Sequence, residues 1–483
     1  MPAVSQPKKT AVVFEDPAVI KQREIVAQLR SKDRYGRYVC PIVYDEVTLP
    51  NGKRQAVIHI ADPNKPEKNF NFVTIATQAS KADIETIVSK VSWIKEACFM
   101  IERLAKAHKS GRIVGLEGPS AIGKTFICKV FARCVHGEKF KLPILTCNEG
   151  TSDTELLGGV APRTDATASE GKYKFVPGIF EKMYHGQVDP SGNVTVDPDN
   201  SGSGCMVLID ELTRAKPKLT NAFFPLRGDG RKLNSHIQIS KDNSRLVKKG
   251  EHAFCVFSQN PVDDSNHVGV HAFDEALQRA IDFVSIPELS LESLQIISED
   301  MLRFKRGDRP DTTIDIFKPF DFTQHEELVQ TVGTALRLFH AECIKVMDRF
   351  QRSREQKIKV TVDDFAQVAQ ELLTGQTRDE AGQVDLVQTL TNAVQVTYMD
   401  RIGDAKVKAE LNTIWQDVLT NKALFSTKGT KAKCYQEQIA ALTELFSLPE
   451  DRLKPIEEKR VAGKVVALNS DDDVPDAVKN LFG

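Results

Sequence analysis

The chain has 483 residues, a formal net charge of −1 and 27% charged side chains, and is long enough for roughly two to four domains. The near-neutral balance argues against a generic nucleic-acid-binding surface or a polybasic membrane anchor, and no apolar run approaches the roughly 20 residues that cross a bilayer. Nine cysteines without a C-x-x-C pair, and an N-terminus (Met1-Pro2-Ala3-Val4-Ser5) without a signal-peptide core, point to a reducing, cytoplasmic setting and not to a disulfide framework or zinc site.

Residues 1–80 read as a small mixed α/β module. Ala18 to Ser31 has helical spacing, and Tyr38 to Thr48 and Gln55 to Ile60 read as strands about the turn Pro50-Asn51-Gly52-Lys53, a hairpin signal. Phe70 to Ala76 is a third strand. Lys81 to His108 carries a long amphipathic pattern that leads into a nucleotide-binding core over residues 81–288.

In that core the apolar run Ile113-Val114-Gly115-Leu116 precedes Gly118-Pro119-Ser120-Ala121-Ile122-Gly123-Lys124-Thr125, which fits G-x-x-x-x-G-K-[ST]. A helical pattern from Phe126 follows, ending at Gly137. Strand, loop and helix in this order make a phosphate-binding loop, in which glycines let backbone N–H groups converge on anionic oxygens at a helix N-terminus. Residues 118–126 are therefore expected to hold ATP, with Lys124 reaching the β/γ-phosphates and Thr125 a ligand of Mg²⁺. Cys205-Met206-Val207-Leu208-Ile209 reads as a strand buried on both faces. It ends in Asp210-Glu211, at the strand edge where open α/β sheets bind ligands. Asp210 is expected to hold Mg²⁺ and Glu211 to orient and polarise the attacking water.

Further strands are expected at Ile144–Cys147, Ala253–Phe257 and Phe283–Ile286, giving an α/β fold with a largely parallel sheet. The turn-rich stretch from Asp189 to Gly204 does not have the EF-hand spacing, and reads as a solvated hairpin or loop. From Leu289 onward the pattern is helical. Residues 289–380 form a helical lid, with Thr361-Val362-Asp363-Asp364 as a capping-box-like start and Gly375 as a stop. Residues 381–483 form a helical C-terminal region with an acidic tail at Asp471-Asp472-Asp473. His185, His236, His252, His267 and His271 are dispersed without metal-ligand spacing.

Taken in sequence, these motifs resemble a AAA+ ATPase, and within that class the MoxR group with its CbbQ/NorQ-type members. The resemblance spans roughly Ile94 to Gly375. Gly115 to Thr125 is similar to the Walker A, Thr151 to Gly159 to the stretch after the second strand, and Phe175-Val176-Pro177-Gly178 to an F-x-x-G element. Leu208 to Ala215 is similar to the Walker B block, Ser258-Gln259-Asn260-Pro261 to sensor 1, and Leu277-Gln278-Arg279-Ala280 to the arginine element. The resemblance implies that Asn260 helps to place the lytic water and that Arg279 is an arginine finger supplied to a neighbouring subunit. Arg214 either faces a subunit interface or is a solvated arginine, and Arg337 is a candidate for sensor 2. Ala121, at a position often glycine, Ala280, in place of the usual Phe, and the long insertion before Cys205 depart from the family pattern.

The resemblance implies a homo-oligomeric, hexameric ring that hydrolyses Mg–ATP to remodel a client protein, with a von Willebrand factor A domain partner by analogy. Two alternatives stand beside it. One is a motor or restriction-type NTPase on nucleic acid, against which stand the neutral charge and the lack of a basic stripe interleaved with aromatics. The other is a nucleotide-gated scaffold with little hydrolysis.

Overall fold

The computed structural model describes residues 17–32, 37–162, 173–197, 202–239, 245–261, 279–303, 325–351, 362–374, 377, 384–420 and 434–446. Thr361, Gly375, Leu277, Gln278, His267, His271 and the acidic tail lie outside the described residues. The chain divides into two compact units, one carrying the small N-terminal sheet and the parallel sheet, the other the helices after Ile286.

In the first unit, helix α1 (Pro17–Leu29) precedes strands β1 (Ile42–Thr48), β2 (Arg54–Ile60) and β3 (Val73–Ala76), which form an antiparallel sheet in the order β1-β2-β3. Thr48 pairs with Arg54 across the turn, where Asn51 Oδ1 accepts the Lys53 N–H at 3.0 Å. The asparagine thus supplies the local hydrogen bond that favours this residue in turns. Helix α2 (Lys81–Val88) starts in a capping box in which Ser80 and Asp83 exchange backbone-to-side-chain bonds of 2.9 and 3.1 Å. The amphipathic pattern over 81–108 is not continuous helix: α3 (Lys95–Ser110) begins only after a break at 89–94. Within the break the Trp93 indole N–H donates to the Val88 carbonyl at 3.1 Å, taking the acceptor that another helical turn would use.

Strand β4 (Val114–Glu117) and helix α4 (Lys124–His136) flank the phosphate-loop sequence. Then come β5 (Ile144–Thr146), α5 (Asp153–Leu157), the hairpin β6 (Gly159–Pro162) and β7 (Tyr173–Val176), α6 (Ile179–His185), and the hairpin β8 (Gln187–Val188) and β9 (Val194–Thr195). Strand β10 (Met206–Asp210), the hairpin β11 (His236–Ile239) and β12 (Arg245–Lys248), β13 (Phe254–Gln259) and β14 (Asp282–Ser285) complete the unit. The main sheet has the order β14-β4-β13-β10-β5, with every neighbouring pair parallel. Met206 to Ile209 are buried, as are all residues of β13, because both faces of a parallel sheet are covered. Gly115 permits the pairing with β14, since a Cβ there would lie 2.4 Å from the Phe283 ring.

The insertion before Cys205 contains the β8–β9 hairpin, whose turn is closed by Asp189. Its Oδ1 accepts N–H bonds from Ser191 (2.8 Å) and Asn193 (2.9 Å), an Asx turn that uses the carboxylate locally. The N-terminal module is fastened to α3 and α4. Thr77 Oγ1 donates to the Cys134 carbonyl at 2.6 Å, the Gln78 N–H to the Val135 carbonyl at 2.8 Å, and Lys65 Nζ lies 2.6 Å from Oε1 of the fully buried Glu102.

The second unit comprises α7 (Leu291–Arg303), α8 (Glu326–Gln351), α9 (Val362–Thr374), α10 (Leu386–Val394), a π-helical turn at Gln395–Met399, α11 (Ala405–Thr420) and α12 (Tyr435–Phe446). One apolar core, running from Leu294 to Leu442, serves the helices on both sides of residue 380. Phe339 stands edge-on to both Tyr398 and Trp415 within it. Arg337 is half-buried in this unit, and its charge bears on Tyr435.

Candidate functional site

The carboxyl ends of β4, β10 and β13 lie side by side, so the residues that follow them share one edge of the sheet. After β4 the chain runs through the loop 118–123, where Ala121 (φ 60°) and Gly123 (φ 86°) are left-handed. A glycine adopts this conformation freely, and a Cβ at Gly123 would meet nothing within 4 Å. Ala121 takes it at a steric cost of roughly 1–2 kcal/mol. Ile122 is buried, Ser120 is exposed, and Phe126, on the first turn of α4, is half exposed.

Lys124 opens α4 and is buried. Its Nζ donates to Asn260 Oδ1 at 3.1 Å, and burial pulls its pKa down to about 8 against the opposing pull of Glu211 and Asp210. Thr125 Oγ1 donates to Asp210 Oδ2 at 3.0 Å. The other oxygen of Asp210 accepts the Ser258 hydroxyl at 2.6 Å and the Glu211 N–H at 3.1 Å. Asp210 is thus held by donors from α4, β13 and its own backbone. Glu211 is left-handed (φ 56°, ψ 37°), the kind of strained backbone that concentrates at functional sites. Its carboxylate accepts from Asn260 Nδ2 at 3.2 and 3.4 Å and pairs with Arg214 Nε at 3.0 Å.

Five of the sequence-derived site residues, Lys124, Thr125, Asp210, Glu211 and Asn260, are therefore joined in two hydrogen-bonded groups on one sheet edge. Arg279 is exposed, three residues before β14, and Ala280 is buried. Two members of the cluster carry roles that the sequence did not reveal. Ser258 orients Asp210, and Arg214 forms an i,i+3 ion pair with Glu211. Gln259 Nε2 also donates to Glu117 Oε1 at 3.3 Å, tying the ends of β13 and β4 together.

The family comparison accords with this edge. Residues 113–280 match the AAA domain of the dynein-related subfamily. Over this segment the chain is similar to that family. Four of the five sheet strands (all but β14), the phosphate-loop sequence and the Asp210–Glu211 pair lie inside the matched residues. No curated protein matches the chain. Among solved structures, a candidate ATPase from Cytophaga hutchinsonii aligns at 13% identity over 68% of this chain and 84% of its own, with a TM-score of 0.31. NtrX from Brucella abortus aligns at 14% over 69% and 72%, with a TM-score of 0.27. NtrX from the same organism in complex with ATP aligns at 14% over 79% and 64%, with a TM-score of 0.28. Similarity at these scores bears on neither fold detail nor function.

The donor set at this sheet edge suits a magnesium–triphosphate. Among the described residues no three His, Cys, Asp or Glu side chains gather as a metal site. Mg²⁺ needs few protein ligands, because it keeps waters and takes phosphate oxygens, and Thr125 with Asp210 supplies a hydroxyl and a carboxylate. No helix among the described residues is long and apolar enough to cross a membrane.

Proposed function

We propose that the AAA domain hydrolyses ATP, and that the chain acts as a ring-forming, MoxR-type ATPase that remodels a client protein. The observation that carries this reading is the pair of groups Lys124–Asn260–Glu211 and Thr125–Asp210–Ser258 at the carboxyl edge of the sheet. Lys124, once a triphosphate arrives, exchanges its bond to Asn260 for the β/γ-phosphate oxygens. Thr125 and Asp210 would hold Mg²⁺, which when bound counters the phosphate charge. Residues 118–126 wrap the phosphates with backbone N–H groups. Glu211 orients the attacking water and draws off its proton, and Asn260 fixes the Glu211 carboxylate for that task. Arg279, supplied to a neighbouring subunit, would stabilise charge on the γ-phosphate there, which is the reason for proposing a ring, hexameric by family likeness.

A partner with a von Willebrand factor A domain and a cytoplasmic setting belong to the same proposal. The setting is supported by nine free cysteines, eight of them buried, of which Cys128, Cys205 and Cys255 have pKa values raised by burial and so little thiolate. The test is Glu211→Gln, which keeps the shape and removes the base. It is expected to bind ATP as the parent does and to lose about 10²–10⁴-fold in turnover. Full-speed hydrolysis by this variant refutes the assignment. Specific activity that stays constant as the protein is diluted to monomers refutes the shared site.

A further inference from the structure

On the flank of the parallel sheet, α3 and β14 enclose a cleft of about 380 Å³. Phe99, Arg103, Lys106 and Arg112 line it from the α3 side, and Phe283 and Ser285 from β14. Arg103 and Lys106 are one helical turn apart, so the cations form a stripe along α3. The Arg103 guanidinium lies over the Phe99 ring at 4.9 Å and pairs with no carboxylate among the described residues.

The carboxylate on the cleft's wall and the one buried behind it are each shared by two cations. Asp282 is shared by Arg231 at 3.0 Å and Arg112 at 3.5 Å. Glu102, fully buried behind the stripe, is shared by Lys65 and by Lys106 at 2.9 Å. Three cations, Arg103, Lys106 and Arg112, thus line the cleft beside one carboxylate, Asp282. A chain whose net charge is −1 therefore concentrates positive charge on this one flank, together with two half-buried phenylalanine rings.

We infer that this cleft docks an acidic peptide segment, with an aromatic or large apolar residue among its carboxylates, from a protein partner. Arg103 is exposed and stands over the Phe99 ring, placed to take an incoming carboxylate, and the rings of Phe99 and Phe283 offer an apolar seat beside it. A nucleic-acid backbone suits the cleft less well. The volume takes a few side chains and not a duplex. The inference does not depend on the ATPase reading, because no residue of the cleft belongs to the triphosphate site.

The experiment is fluorescence anisotropy with the full chain and three labelled probes: the peptide Glu-Asp-Phe-Glu-Asp, its neutral counterpart Gln-Asn-Phe-Gln-Asn, and a 20-nucleotide oligo-dT. The acidic peptide is expected to bind at least tenfold more tightly than the neutral one, and to weaken as salt shortens the screening length. Arg103→Glu and Ser285→Glu, exposed positions on opposite walls, are each expected to weaken it about tenfold or more, while Lys53→Glu in the β1–β2 turn leaves it unchanged. Thermal melts establish that the variants fold. Because the two substitutions lie on different elements, loss of one fold leaves the other as the test. Equal binding of the neutral peptide, indifference to both substitutions, or tighter binding of the oligonucleotide overturns the inference.

Discussion

Ser258→Ala tests how the Asp210 carboxylate is held. Ser258 is 1% exposed and its hydroxyl donates to Asp210 Oδ1 at 2.6 Å. Removing the oxygen leaves Asp210 with the Thr125 hydroxyl at 3.0 Å and the Glu211 N–H at 3.1 Å. A hydrogen bond to a charged group contributes about 1.5–3 kcal/mol. The half-buried carboxylate regains part of that from water, which favours the lower figure, or about tenfold in an equilibrium constant. The half-saturating Mg²⁺ concentration for ATP hydrolysis is therefore expected to rise about tenfold, while turnover at saturating Mg²⁺ stays within about threefold of the parent. Ser258→Thr, which keeps the hydroxyl, is expected to restore the parental curve. A steady-state assay over a free-Mg²⁺ titration at fixed ATP reads both quantities. An unchanged midpoint in Ser258→Ala, or a fall in turnover with no shift of midpoint, refutes the reasoning.

Three further outcomes follow from the same geometry. Burial lowers the Lys124 pKa to about 8, and phosphate contact restores the charged form. At pH 8.5 ATP binding is then expected to take up roughly 0.7 proton, vanishing below pH 7, as calorimetry in buffers of differing ionisation enthalpy would reveal. His136 is buried, and burial drops its pKa to about 3, so the unfolded state binds the extra proton below the ordinary histidine value. Its stabilising contribution, complete above about pH 6.5, is lost as pH falls, by about 2 kcal/mol at pH 5. Urea denaturation across pH checks this, with His136→Gln expected to flatten the slope. Ala121→Gly removes the left-handed strain at φ 60° and adds unfolded-state entropy of about 0.5–1 kcal/mol. The melting temperature should hold or rise slightly, and a marked fall would argue against the strain.

What was legible in the sequence is what local spacing encodes. The phosphate loop is eight consecutive residues, and β10 announces itself because both faces of a parallel strand must be apolar. The Asp210–Glu211 pair could be placed because it ends that strand. The hydroxyl of Ser258 was not legible as a partner of Asp210, since they are 48 residues apart and meet only through strand pairing. Arg214 stood open between a subunit interface and solvent. The short 3₁₀ turn Leu212–Arg214 leaves it exposed and pairs its Nε with Glu211, a contact that spacing alone did not announce. The hairpins β6–β7 and β11–β12 were missed because their strands are four residues each, too short for alternation to register. The basic cleft was hidden for a different reason: total charge sums the whole surface, and its cations, on α3 and the segment after it, meet the wall formed by β14 only in the fold.

Helix α4 has one end at the phosphate-loop sequence and the other in the grip of the N-terminal sheet. Its thirteen residues make a rod about 20 Å long. Lys124 and Thr125 stand at its head, while the carbonyls of Cys134 and Val135 at its foot receive Thr77 and Gln78. An α-helix resists compression along its axis, so any displacement of the antiparallel module would be carried along one stiff rod to Lys124 and Thr125.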